Sequence, residues 1–232
     1  VPERITNYSE KFQYILDGFP SAFGGYDTNE KACILDDDLV FSRRVLVDGR
    51  PSLRTIEDVE ETGVLFDYME ELLEDTALVG VHPRQMGQNT KPPYVDNGRI
   101  ICIQGINRRL IGKVKVDQFP ILADVVLNCT LLARGQGNKI ITTHFQDHGP
   151  CQAPGGCSIY RTSDMQTKAV EYLSARFPDY VKVVARNTKD KWLANEDGVR
   201  YDYTCQWKRL YAAGSAYVLG GRTGVNPDKE GS

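Results

Sequence analysis

The chain has 232 residues, 41% of them hydrophobic and 25% charged. That is enough for a sizeable α/β core of ordinary globular composition. A formal net charge of −3 excludes a uniformly basic, DNA-coating protein and leaves room for a local basic patch. No apolar run reaches the ~18 residues of a membrane span, and no charged-then-apolar leader is visible. No membrane partner is expected, and the expected location is cytoplasmic.

Asn7 and Glu10 have capping-box spacing, and Phe12, Ile15, Leu16 and Phe19 share one helical face, so the chain is predicted to open with a helix. Gly24-Gly25 breaks it. Ala32-Cys33-Ile34-Leu35 is a short continuous apolar run, the pattern of a strand buried on both faces, and it ends in Asp36-Asp37-Asp38. Thr55 and Asp58 open a second helix to about Leu73, with Leu65, Met69, Leu72 and Leu73 facing inward. Strands are predicted at Leu78–Val81, Ile100–Ile103 and Lys113–Val116, with a long polar loop from His82 to Asn97. A Leu-rich helix runs from Asp124 to Arg134 and stops at Gly135. A strand at Lys139–Thr143 leads into a loop from His144 to Cys157. Ser163 and Gln166 cap a further helix, Val181–Val184 is the last predicted strand, and a frayed tail is expected after Tyr217.

Strands alternating with helices predict an α/β fold, with a mixed, mostly parallel sheet and helices on both faces. No linker divides the chain, so one domain is expected over residues 1–217, with a flexible tail over 218–232. The six cysteines, at 33, 102, 129, 151, 157 and 205, are spread out and several lie in apolar runs. That usage fits buried thiols rather than a disulfide framework.

Three carboxylates directly after a buried strand repel one another and resist dehydration. A divalent cation relieves both penalties. Hard oxygen ligands suit Mg²⁺ or Mn²⁺, which take one or two carboxylates and complete their shell with substrate phosphates. Strand ends are also where open α/β sheets bind ligands. Extended backbone would send Asp36 and Asp38 to one side and Asp37 to the other.

A strand ending in Asp-x-Asp resembles the signature of GT-A glycosyltransferases, where it holds the metal and the diphosphate of a nucleotide sugar. The chain is more specifically similar to the TET/JBP-associated glycosyltransferases of bacteriophages, enzymes thought to add sugars to 5-hydroxymethylpyrimidines in DNA. The likeness rests on an ordered set of stretches: Lys11–Asp17, Ile34–Phe41, Val79–Asn89, the Leu-rich helix headed by Asp124, and Gly155–Thr162. Where the family pattern has two acidic residues at the head of that helix, this chain has Ala123-Asp124.

The resemblance implies a GT-A-like fold, Mn²⁺ or Mg²⁺ as cofactor, a nucleotide-sugar donor with a UDP-sugar as first expectation, and DNA carrying a modified pyrimidine as acceptor. If a phage encodes the chain, its cytoplasm is the host's. The implied metal ligands are Asp36, Asp38 and a downstream histidine, His148. Asp36, Asp37, Asp38, Arg161, Gly155 and Gly156 would bind the donor. Asp124 would take the proton from the attacking hydroxyl, with Asp117 as a second candidate.

The polar loop offers Arg84, Gln85 and Asn89 to hydrogen-bond an acceptor. Lys and Arg at 43, 44, 108, 109, 113 and 115 supply a local basic surface. Two alternatives remain open. One is a GT-A enzyme with a glycan, protein or small-molecule acceptor. The other is a nucleic-acid-binding module stabilised by zinc on His144, His148, Cys151 and Cys157, where the His-x3-His spacing is zinc-like.

Overall fold

The structure is a computed structural model, and it describes residues 5–18, 30–85, 93–148, 160–188 and 195–220. In chain order the elements are α1 (Tyr8–Leu16), β1 (Lys31–Leu35), β2 (Leu39–Val47), β3 (Arg50–Thr55), α2 (Val59–Leu72), β4 (Leu78–Pro83), β5 (Tyr94–Asp96), β6 (Ile103–Asn107), α3 (Arg108–Ile111), α4 (Ala123–Ala133), β7 (Asn138–His148), α5 (Ser163–Arg176), β8 (Val181–Asn187), β9 (Val199–Cys205) and α6 (Trp207–Gly220). They fall into two compact units. A sheet unit comprises residues 19–113 and 136–151, and a helical unit comprises 1–18, 114–135 and 152–232.

The sheet unit holds a seven-stranded sheet in the order β1-β6-β4-β7-β2-β3, with β5 added against β7. It is mixed, as the alternation of elements implies, but it is not mostly parallel: among the described residues β4 and β7 form the one parallel pair, and every other pairing is antiparallel. Local turns cause much of this. β2 and β3 form a hairpin across Asp48-Gly49, where φ is 51° and 74°. Positive φ at both central residues matches the twist of a two-residue hairpin.

Among the described residues β1 is an edge strand paired only with β6, and Cys33 and Leu35 are exposed. The expectation that its apolar run is buried on both faces is therefore corrected: a strand with one neighbour and one covered face leaves alternate side chains in water. β1 and β2 stand four places apart in the order, about 19 Å in a flat sheet. Yet only Asp36, Asp37 and Asp38 join Leu35 to Leu39, a link of at most ~14 Å. The sheet must therefore curl.

It curls around α2. Asp58 caps that helix by accepting from the Glu60 N–H, and Leu65, Met69, Leu72 and Leu73 pack on Val79, Val81, Ile103 and Ile141. Each such buried side chain contributes roughly 1.5–3 kcal/mol relative to exposure. Gly105 allows the close approach: a Cβ there would lie 2.6 Å from the Met69 sulfur. Both margins of the sheet then reach α2 with cations. Lys31 on β1 pairs with Glu70 and Glu74, while Arg43 on β2 and Arg54 on β3 meet Glu61 at 2.9 and 3.0 Å.

Other expectations shift. β6 starts at Ile103, and Ile100 instead fills the space over Gly80. Residues 113–116 form no strand; the Gln13 side chain bonds their backbone instead, donating to Val114 O at 3.0 Å and accepting from the Val116 N–H at 2.8 Å. β7 runs on to His148, where a loop was expected.

In the helical unit, α1 is capped by Asn7 and α5 by Thr162, one residue before the Ser163 expected. α4 is buried along nearly its whole length. It packs against α6 so closely that a Cβ on Gly214 would sit 2.3 Å from Leu132 O. β8 and β9 form a separate antiparallel pair contacted by α5. α6 continues to Gly220, past the boundary expected at 217.

Candidate functional site

The parallel pair β4–β7 organises one end of the sheet. Pro83 pairs with Gln146, and Gln146 pairs with Phe41 on β2. One rung further, Val40 faces Asp147, and the next pairs Leu39 with His148. Asp38 directly precedes Leu39, and Arg84-Gln85 directly follow Pro83. Residues 110 positions apart in sequence, Asp38 and His148, are thus backbone neighbours at the strand ends where Arg84 and Gln85 also emerge. Carboxyl ends of parallel strands are where sheets of this kind bind ligands.

The acidic run is a turn rather than a strand end, so the alternation expected of Asp36, Asp37 and Asp38 does not apply; all three are exposed. The turn is pinned by the Asp36 N–H, which donates to Cys102 O at 2.9 Å. Among the described residues no group of three or more His, Cys, Asp or Glu side chains is gathered as a closed metal cage. Exposed carboxylates on a fixed turn suit a hard cation that keeps most of its shell for water and phosphate.

Arg84 and Gln85 also line an open cleft of about 480 Å³, together with Arg44, Pro51, Ser52, Leu53 and Asp147. Arg44 is held over the Phe145 ring, its guanidinium carbon 5.2 Å from the centroid. Phe145 also meets the edge of His82, whose Nδ1 lies 3.0 Å from Pro83 O. Two planar guanidinium groups with an amide and a hydroxyl are suited to an oxyanion such as phosphate. His144 lies across from Arg43. Burial first, and then the Arg43 charge, lower its pKa, while Glu61 raises it.

The structure therefore gathers Asp36, Asp37, Asp38, Arg84, Gln85 and the backbone of His148 at one end of the sheet unit. Asp117, Asp124 and Arg161 belong to the helical unit. Asp124 occupies the first turn of α4, where the helix dipole favours a carboxylate, and Asp117 lies 4.0 Å from Lys115. Asn89, Gly155, Gly156, Cys151 and Cys157 lie outside the described residues, as does the His148 side chain. Sequence reasoning missed Ser52 and Asp147. For Ser52 the signal was Asp48-Gly49 between apolar stretches, which announces the hairpin that carries it; Asp147 depends on the β2–β7 ladder, which no local signal announces. Among known proteins, no family model, no curated protein and no solved structure matches this chain.

Proposed function

We propose that this chain is a metal-dependent glycosyltransferase that moves a sugar from a nucleotide-diphosphate donor to a 5-hydroxymethylpyrimidine in DNA. The observation that supports it is the register of Leu39 against His148, which puts the acidic turn beside a histidine position that is one residue from Asp147 of the arginine-lined cleft. In this reading Asp36 and Asp38 hold Mn²⁺ or Mg²⁺, whose chemistry is to offset charge on the departing diphosphate. Arg84 binds phosphate oxygens, and Gln85 hydrogen-bonds the acceptor. The base and donor roles of Asp124 and Arg161 rest on the resemblance to the phage enzymes, as does the choice of DNA as acceptor.

The exposure of all three aspartates favours a second reading, a phosphate-binding module without transfer chemistry. One experiment separates the two. Hydroxymethylated DNA is incubated with the protein, Mn²⁺ and a mixture of sugar nucleotides, and its nucleosides are analysed by mass spectrometry. A hexose or pentose mass added to one base, and lost with a chelator, supports the transferase. An unchanged nucleoside profile, with DNA or nucleotide still bound, leaves the binding module.

A further inference from the structure

The β2–β3 ribbon stands apart in exposure and charge. From Leu46 to Ser52 every residue is exposed, with Leu46 at 73% and Val47 at 53%. The tip is apolar, Leu46, Val47 and Pro51 around the tight Asp48-Gly49 turn, and β3 is a sheet edge. Between Leu39 and Thr55 the charged residues are Arg43, Arg44, Arg50 and Arg54 against Asp48 alone, in a chain whose net charge is −3. Arg43 and Arg54 share a single carboxylate, Glu61, so that pair keeps an excess positive charge. On its tip-ward half the ribbon forms one wall of the cleft, through Arg44, Pro51, Ser52 and Leu53, with Arg84 and Gln85 also lining it. Arg44 and Arg50 lie three rungs apart on the ladder, an odd number that puts them on opposite faces of the ribbon, so each face carries a cation.

We propose that the ribbon and the cleft along its side form a docking surface for duplex DNA. Arginines take backbone phosphates, and the Leu46–Val47 tip makes apolar contact within a groove, which is wide enough to admit a two-stranded ribbon. This rests on the DNA-acceptor reading above and extends it to the means by which the duplex is held. A lipid surface would use the tip but not the polar cleft, whose Ser52 and Gln85 can bond phosphate or base edges.

The test is fluorescence anisotropy of a labelled 20-base-pair duplex across a salt series, with Arg50→Glu, Arg50→Lys and Leu46→Ser in the full chain. All three change exposed side chains, and circular dichroism checks that each variant is folded. Arg50→Glu is expected to weaken binding about ten-fold and to reduce the slope of log affinity against log salt by about one. Arg50→Lys restores both, and Leu46→Ser weakens binding without changing the slope. Wild-type affinity and slope in both Arg50→Glu and Leu46→Ser would overturn the proposal. So would binding to phosphatidylserine vesicles that Leu46→Ser abolishes while duplex binding is untouched. If no sugar is ever transferred yet Arg50→Glu loses the duplex, the docking surface stands and the transferase reading falls. If sugar is transferred and both variants bind duplex normally, the docking surface falls alone.

Discussion

Asp38, before the first rung of the β2–β7 ladder, and His144, four rungs further in, report different physics. Asp38 is exposed on a turn, so its carboxylate contributes little to stability, and any role it has lies in what it binds. Asp38→Asn is expected to leave the urea midpoint within error of wild type while abolishing Mn²⁺-dependent binding of a nucleotide sugar by calorimetry; undiminished binding would remove the metal role. His144 is the opposite case, a half-buried imidazole whose folded pKa is lowered mainly by burial and then by Arg43. The unfolded chain therefore takes up the proton first, so stability is full above about pH 6.5 and falls as pH drops toward the folded value. His144→Gln should lessen the loss of stability between pH 7.5 and 5.5 in urea titrations; an unchanged difference would show that His144 carries none of it. At this scale the acidic run, Arg84 and Gln85 were legible because polar and charged residues are conspicuous beside apolar runs. Asp147 was not, because its place in the cleft depends on β7 continuing past Thr143, and nothing in His144-Phe145-Gln146-Asp147-His148 alternates cleanly enough to announce a strand.

Caps and apolar periodicity made α1, α2, α4 and α5 readable, since a helix writes its signals within a few neighbouring residues. β2 was hidden by its own composition: Ser42, Arg43 and Arg44 interrupt the apolar pattern, and Ser42 is buried although polar. Two glycines separate local preference from packing. Gly63 lies within α2, and a Cβ there meets nothing within 4 Å. Gly63→Ala should stabilise by about 0.5–1 kcal/mol, since a glycine in mid-helix costs that much in backbone freedom. Gly214 also lies within a helix, α6, but its Cβ would sit 2.3 and 2.5 Å from the carbonyl oxygens of Leu132 and Ala133. Backbone atoms cannot swing aside, so Gly214→Ala should destabilise by roughly 1–3 kcal/mol or more, from α4 and α6 forced apart. Opposite shifts in thermal midpoint for the two variants would bear this out; equal shifts would mean that the helices are not in this contact.

At the scale of the molecule, what the sequence left unread is who pairs with whom. Where a strand's own residues do say that it is a strand, as at β4, they still do not say which distant segments are its neighbours in the sheet. β7 shows the consequence. It pairs with β4, β2 and β5 at once, and it brings Ile140, Ile141 and Phe145 to the buried interior. It also lies beyond the helical-unit segment of residues 114–135. Without it, β1, β6 and β4 retain their ladder with one another, but β5 and the β2–β3 hairpin have no partner, and an isolated hairpin is marginal in water. A fragment of residues 1–135 carries β1 to β6 of the seven-stranded sheet. It is nevertheless expected to be unfolded, with no cooperative urea transition by circular dichroism and strong binding of a hydrophobic dye. A cooperative transition in that fragment would mean that β7 joins a sheet already formed. Within the sheet unit, closing the sheet must wait for β7, a segment that arrives after everything it pairs with; a fragment of residues 1–151, which restores β7, separates its part from that of the missing α5 and α6.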